Sequence, residues 1–364
     1  MRKLLAVGAL MALASLAAAD CNVNGANVPV CHVSKSSSKT PTAFIPTSLE
    51  QSKALLSRLQ RKQNADRFLE ECVDLALDGA GSLNKSDVSV SYIEICPDGA
   101  ECCPVLAHVQ GEEMQYASGV ARLVYGASLY YKLQAKKAGM TVPLERDVIA
   151  MLRDGNVGAT NRIVDFVTGT ASGDELPYGE LNKFAKDRDY ANWYLTNLGF
   201  KDFNVNQKVN LVAASGRDRQ LLGEKLHLNY ENSNRVTANQ IAGIMYLLDQ
   251  EALVSPGASH AMKAYMHRPL EQTKVGYLPG IAAGLPTGSK GVSINGYTVR
   301  NYADAALVTL PSGVRYVLVA MTKYNEYPTN FIPLLSRIIA FRNDTSTGTE
   351  DVGQHRYIAP LAAH

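Results

Sequence analysis

Six cysteines give this sequence a clear capacity for covalent chemistry, and all of them (Cys21, Cys31, Cys72, Cys96, Cys102 and Cys103) lie in its first third. Two chemistries compete for such a set. Thiolates in CxxC pairs, completed by further cysteines or paired histidines, hold zinc. No CxxC occurs here, and His32 and His108 do not form a paired motif, so no metal site is expected. In an oxidising compartment an even number of cysteines forms disulfides, with fifteen possible pairings for six. Cys102 and Cys103 are adjacent and cannot easily bond to each other, so each is expected to reach elsewhere. The bridges would clamp the N-terminal segment to the first strands. Among other reactive or recognition-capable groups, Trp193 with Tyr190 and Tyr194 reads as core rather than as a ligand platform. Asn84-Lys85-Ser86 and Asn343-Asp344-Thr345 have the spacing of glycosylation acceptors, which counts only in a eukaryotic source.

The compartment follows from the start of the chain. Arg2 and Lys3 precede an unbroken run of apolar and small residues from Leu4 to Ala19, which closes on Ala17-Ala18-Ala19 before Asp20. This order is that of a cleavable secretory signal. The run of sixteen residues is shorter than the roughly 20 that cross a bilayer as a helix. Asp20 in front of Cys21 argues against a lipid anchor there. The expected location is therefore secreted or periplasmic. With 36 basic and 34 acidic residues and a net charge of +2, the chain has no electrostatic footprint for nucleic acid or an anionic membrane. No later stretch is apolar for long enough to span a bilayer.

The elements change character along the chain. Residues 22–46 are rich in Ser, Thr, Asn and Pro and read as an extended arm. From Ser48 to about Leu77, leucines and other apolar residues recur at helical spacing and predict one long amphipathic helix. Val88 to Ile95 alternates at period two as a strand, and Val105 to Val109 is a second strand. From Gly119 to about Arg268 the signals are mostly helical, with helices over Leu123–Ala138, Ala159–Val167 and Thr237–Leu248, the last capped by Thr237. Strands return at Lys290–Ile294, Ala305–Leu310 and Tyr316–Thr322, separated by Asn295-Gly296 and by Pro311-Ser312-Gly313 as turns. Phe331 to Phe341 is a closing helix. Strands from both ends of the chain around a helical insertion predict an α/β sandwich beside an all-helical lobe.

Four local strings in this layout resemble the penicillin-recognising serine hydrolases, the class A β-lactamases and their peptidase relatives. Gln115-Tyr-Ala-Ser-Gly-Val-Ala-Arg-Leu123 stands where that family carries Ser-x-x-Lys at the start of its central helix. Met151-Leu-Arg-Asp-Gly-Asn-Val-Gly-Ala-Thr-Asn161 is similar to the segment with Ser-Asp-Asn. Asn234-Arg-Val-Thr237, with its helix and Leu253-Val-Ser255, is similar to the helix pair before the last strands. Gly284-Leu-Pro, Val299-Arg-Asn301 and Ala303-Asp-Ala-Ala306 are similar to the strand with Lys-Thr-Gly and the hairpin after it. The resemblance implies an α/β fold, an antiparallel sheet flanked by helices (an α/β/α sandwich) plus an inserted all-helical lobe. The expected division is a signal at 1–19, an arm at 20–46, the sandwich at 47–118 and 269–345, the lobe at 119–268 and a flexible tail at 346–364.

In that family a serine attacks a carbonyl, a lysine one helical turn later activates it, a second serine relays a proton, and the Lys-Thr-Gly lysine holds the substrate carboxylate. Backbone amides hold the oxyanion. This sequence departs from all three motifs. With Ser118 as nucleophile, the lysine position is Ala121. With the register shifted by one, Arg122 takes the lysine position and Gly119 that of the serine, and a guanidinium stays protonated at any working pH. Ser-Asp-Asn becomes Gly155-Asn156-Val157, and Lys-Thr-Gly becomes Ile294-Asn295-Gly296, or in a looser register Pro286-Thr287-Gly288. The literal strings Ser36-Ser-Ser-Lys39 and Ser82-Leu-Asn-Lys85 lie in polar loop sequence and read as chance, and Glu180-Leu181-Asn182 reads as helix surface. Together these residues imply a pseudo-hydrolase with no cofactor and a binding or scaffold role toward a small ligand or a protein, its pocket lined by the degenerate motif positions, with Arg122 or Arg300 as candidate ligand-holding groups. The alternative is an active serine hydrolase or acyltransferase with Ser118 and a non-standard base such as Lys132, Lys290 or a histidine.

Overall fold

The structure, a computed structural model, describes residues 21–22, 30–31, 49–81, 83–97, 104–209, 214–223, 232–266, 280–298, 301–323 and 330–345. The expected signal, most of the arm, the tail, Cys102, Cys103 and Arg300 lie outside these residues. In chain order the described elements begin with β1 (Cys21–Asn22), β2 (Val30–Cys31), α1 (Leu49–Ser57), β3 (Gln60–Arg61), α2 (Gln63–Ala80), β4 (Val88–Ile95), β5 (Val105–Val109) and β6 (Gln115–Tyr116). Helices follow as α3 (Ala121–Ala135), α4 (Val142–Leu152), α5 (Val157–Thr168), α6 (Tyr178–Arg188), α7 (Tyr190–Asn197) and α8 (Gly216–Leu222). The chain closes with β7 (Arg235–Val236), α9 (Ala238–Asp249), α10 (Pro256–Met266), α11 (Ile281–Gly284), β8 (Lys290–Thr298), β9 (Asn301–Thr309), β10 (Arg315–Thr322) and α12 (Phe331–Thr345).

The central sheet has six strands in the order β3-β5-β4-β10-β9-β8. Every pairing in it is antiparallel except the short β3–β5 contact. β4 lies directly beside β10, with Val88 opposite Thr322 and Ile95 opposite Arg315, so strands more than two hundred residues apart in sequence form the middle of the sheet. Side-chain alternation divides these strands between two cores. Val90, Tyr92, Ala306, Val308, Leu318 and Ala320 face α2, α11 and α12. Ile93, Ile95, Ala305, Leu307, Val317 and Val319 face the other way, into a core continuous with α3, α5, α9 and α10. Both faces are covered, which is why β9 and β10 read as nearly uninterrupted apolar runs.

Two local readings are corrected. The single helix expected over Ser48–Leu77 is two helices with β3 between them. The reason is the division of the core: Leu49, Leu55, Leu56 and Leu59 pack on the α9 side, whereas Leu69, Cys72, Val73 and Ala76 pack on the α12 side. One straight rod could not serve both faces of a sheet. The Asn295-Gly296 pair is not a turn; it continues β8, with Asn295 opposite Asp304 and Gly296 opposite Ala303. The Pro311-Ser312-Gly313 hairpin does form, closed by Leu310 N donating to Val314 O at 2.8 Å. Thr237 caps α9, its hydroxyl accepting from Gln240 N at 3.2 Å while Gln240 Oε1 accepts from Thr237 N at 2.9 Å.

Cysteine usage is also corrected at one position. Cys72 is a free thiol, fully buried in the apolar stripe of α2, where burial pushes its pKa up to about 12. Cys96 is disulfide-bonded. No helix among the described residues is long and apolar enough to cross a membrane.

Candidate functional site

The chain reaches the start of α3 through a constrained path. β6 pairs with β7, Ala117 N donates to Asn234 O at 2.8 Å, and Asn301 Nδ2 donates to Tyr116 O at 3.1 Å. These contacts hold Ser118 at φ 47°, a left-handed conformation that costs a non-glycine residue roughly 1–3 kcal/mol. Ser118 is 7 % exposed. The next residue must be a glycine. A Cβ on Gly119 would collide with Asn295 O and Gly296 Cα, and a Cβ on Gly296 would collide with Gly119 N and Cα. Two stretches of backbone, one opening α3 and one inside β8, therefore touch without side chains between them.

Arg122 fills the adjoining space. It is 6 % exposed and stands on the first turn of α3. Its Nε donates to Gly119 O at 2.8 Å, and its Nη2 donates to Asn295 O. Its Nη1 lies where a Cβ on Gly155 would be, and Gly155 takes φ 66° in the turn before α5. The side chain thus connects all three degenerate motif segments.

The other expected site residues are placed elsewhere. Ala121 and Ile294 have no exposure and belong to the large core. Asn156 caps α5, its Oδ1 accepting from Ala159 N at 2.8 Å, and Val157 faces solvent. Ser118, Gly119, Arg122, Gly155, Asn295 and Gly296 are brought together; Ala121, Asn156, Val157 and Ile294 do not add a reactive group to them.

The candidate bases are distant. Lys132 is ten residues beyond Arg122, about 15 Å along α3. Its Nζ donates to Phe166 O and Val167 O at 3.1 and 2.5 Å, and burial followed by the Lys136 charge lowers its pKa. Lys290 is exposed at the first residue of β8, about 20 Å from Gly296 along the strand. His108 is on β5, four strands from β8, about 19 Å across the sheet. Its Nδ1 accepts from Gly111 N. Burial, then the Arg61 charge, lowers its pKa. His260 is exposed on α10. Trp193, expected in the core, is half-exposed and stacks 5.8 Å from Tyr131 and 5.7 Å from Tyr190, because α7 turns Ala191, Tyr194 and Leu195 inward instead.

Comparison with known proteins follows the same lines. A sequence profile described as the beta-lactamase enzyme family matches residues 131–341, more than half of the chain. The chain belongs to that family. No curated protein sequence matches it. Among solved structures, PBP-A is 16% identical with a TM-score of 0.53, covering 79% of this chain and 98% of its own. A beta-lactamase from Sphaerobacter thermophilus is 16% identical with a TM-score of 0.54, covering 77% and 99%. The TLA-1 extended spectrum beta-lactamase is 11% identical with a TM-score of 0.56, covering 76% and 98%. At these identities the likeness is one of fold. Within the beta-lactamase fold, then, the three motif segments converge around the Arg122 guanidinium.

One buried polar site had no signal in the sequence. Arg188, with no exposure, donates to Asp218 Oδ1 at 2.5 Å and to Thr170 Oγ1 at 2.6 Å. Lys208 Nζ donates to Asp165 Oδ2 at 2.6 Å and to Ser172 Oγ at 2.7 Å. Arg188 sits in an otherwise polar helix, where one more charge carries no information. Arg122, in contrast, interrupts an apolar run from Val120 to Tyr125, and that interruption is the readable mark of its burial.

Proposed function

We propose that this member of the beta-lactamase enzyme family is a catalytically silent, exported protein with a binding or scaffold role. The observation that carries the reading is Arg122, whose guanidinium occupies the space between Gly119, Gly155 and Asn295. Acyl transfer needs a nucleophile, a base within hydrogen-bond reach, and donors about 3 Å from the developing oxyanion. In the register set by Ser118, the residue one turn later is the core alanine Ala121. In the register set by Gly119, the nucleophile is missing and Arg122 cannot accept a proton. A Cβ on either Gly119 or Gly296 would collide with the backbone of the other, so the two segments are packed together beside Ser118. Turnover of a chromogenic cephalosporin tests the reading. The native chain and Ala121→Lys are both expected to be inactive; turnover by the native chain would refute it.

A second reading, an acyl-enzyme on Ser118, draws support from its left-handed backbone, since strained residues cluster at functional sites. That reading requires a base to come within hydrogen-bond reach of Ser118.

Export is supported by the leader-like residues 1–19 and by the bonded state of Cys96, because disulfides persist in oxidising compartments. The mature chain would begin at Asp20. With Cys72 free, five cysteines remain of the six in the sequence. An odd number leaves at most two intramolecular bridges and at least one further thiol. N-terminal sequencing and a thiol titration in denaturant test this, with two free thiols expected and six excluding disulfides altogether.

A further inference from the structure

The sequence holds two Asn-x-Ser/Thr triplets, Asn84-Lys85-Ser86 and Asn343-Asp344-Thr345, and the fold treats them in opposite ways. Asn84 precedes a 3-10 turn over Lys85–Asp87 in extended conformation, with φ −93° and ψ 159°. Asn84 and Ser86 are both exposed. The Asn84 Nδ2 donates to Asp87 Oδ2 at 3.2 Å, and its backbone N donates to the same oxygen at 3.0 Å. A side-chain amide has two N–H donors, so a sugar can replace one hydrogen while the other still serves Asp87. Asn84 also borders an open groove lined by Leu77 and Leu83 together with Asp74, Asp78 and Lys85. The exposed lining of this groove is mostly polar, and its open side leaves space beside Asn84 for a hydrated glycan. Asn343 is different. It lies within α12, half-buried. Its Nδ2 donates to Ile339 O at 3.0 Å, and its Oδ1 accepts from the hydroxyl of Tyr92 at 3.2 Å. Tyr92 is itself buried in the sheet core. A glycan on Asn343 would have to grow out of the packing between α12 and the sheet.

We propose that Asn84 is the N-glycan acceptor of this chain and that Asn343 is not. The proposal rests on the export reading and applies in a eukaryotic secretory pathway, in whose lumen the transfer takes place. In that step Asn84 Nδ2 attacks the anomeric carbon of a lipid-linked oligosaccharide pyrophosphate. The N–C bond forms as the bond from that carbon to the pyrophosphate oxygen breaks, the amide releases one proton, and lipid pyrophosphate leaves.

The test is expression of the chain in a eukaryotic secretory host in two forms, one with its own first nineteen residues and one with a host leader in their place. Glycan is read as an endoglycosidase-sensitive mass increment on secreted and cell-retained chain alike. One increment is expected behind the host leader, kept in Asn343→Gln and lost in both Asn84→Gln and Ser86→Ala. Ser86→Ala removes the acceptor triplet while leaving Asn84 in place, so loss in both variants does not depend on the fold tolerating either one. An unmodified chain behind the host leader overturns the assignment, as does an increment that survives both Asn84→Gln and Ser86→Ala. Glycosylation behind the host leader but not behind the native one upholds the acceptor and refutes export.

Discussion

Two arginines are buried among the described residues, and the fold holds them by opposite means. Arg188 sits among Asp218, Asp165 and Thr170, with Lys208 bridging Asp165 to Ser172. Two positive and two negative groups offset one another there and tie α5, α6 and α8 together. Arg122 donates instead to the backbone carbonyls of Gly119 and Asn295, at the joint between α3 and β8. A carboxylate network can sit anywhere that chain segments meet. A guanidinium on backbone carbonyls needs those carbonyls bare and close, which is why glycines surround Arg122. On the proposed reading, this difference makes the converged motif segments a structural joint.

The largest effect expected from disturbing either region is at Arg188. Asp218→Ala leaves a fully buried guanidinium with a remaining carboxylate contact of 3.5 Å to Asp165, and breaking such a pair costs about 3–5 kcal/mol. Denaturant unfolding should show that loss. Arg122→Ala should cost less, about 2–3 kcal/mol, from part-buried carbonyls left without their donor, and it should generate no hydrolysis. If Arg122→Ala proves neutral, the joint is not structural and the comparison fails.

Gly155→Ser sharpens the comparison further. Its left-handed φ of 66° and its closeness to Arg122 Nη1 predict a loss of about 1–3 kcal/mol. In the Arg122→Ala background the collision partner is gone and only the backbone term, about 1–2 kcal/mol, should remain. A double-mutant cycle measures that coupling; additive losses would show that Arg122 does not fill the space before α5.

The smallest effect expected is a pH dependence at His108, far from both arginines. Burial and Arg61 lower its pKa below the usual histidine value. The unfolded state then binds more protons near pH 6, so stability is present above the unfolded pKa of about 6.5 and is lost as pH falls from there through the lowered folded-state value. His108→Gln should flatten that limb of the stability profile. A profile unchanged by the substitution would assign the acid sensitivity to other groups.

Much of this fold is legible from sequence. The alternation of Val88–Ile95, the Pro-Ser-Gly hairpin and the cap residue Thr237 are local signals, and each yields the element it predicts. What is not legible depends on distant neighbours. Asn295-Gly296 has the composition of a tight turn, yet it runs straight through β8; its glycine answers to the backbone of Gly119, more than 170 residues away in sequence. The break between α1 and α2 has a similar cause, because apolar spacing shows that a helix is amphipathic without showing which face of the sheet it covers. At the candidate site, the sequence reveals the loss of three motifs, but the filling of their meeting point by Arg122 requires the fold.

The central claim, that the converged segments are closed to acyl transfer, is tested most directly by covalent labelling. Purified chain would be incubated to completion with a penicillin and, separately, with a fluorophosphonate, then measured by intact mass. The account predicts an unmodified chain with both reagents. A stoichiometric adduct that maps to Ser118 and disappears in Ser118→Ala would contradict it, showing that a base reaches the serine.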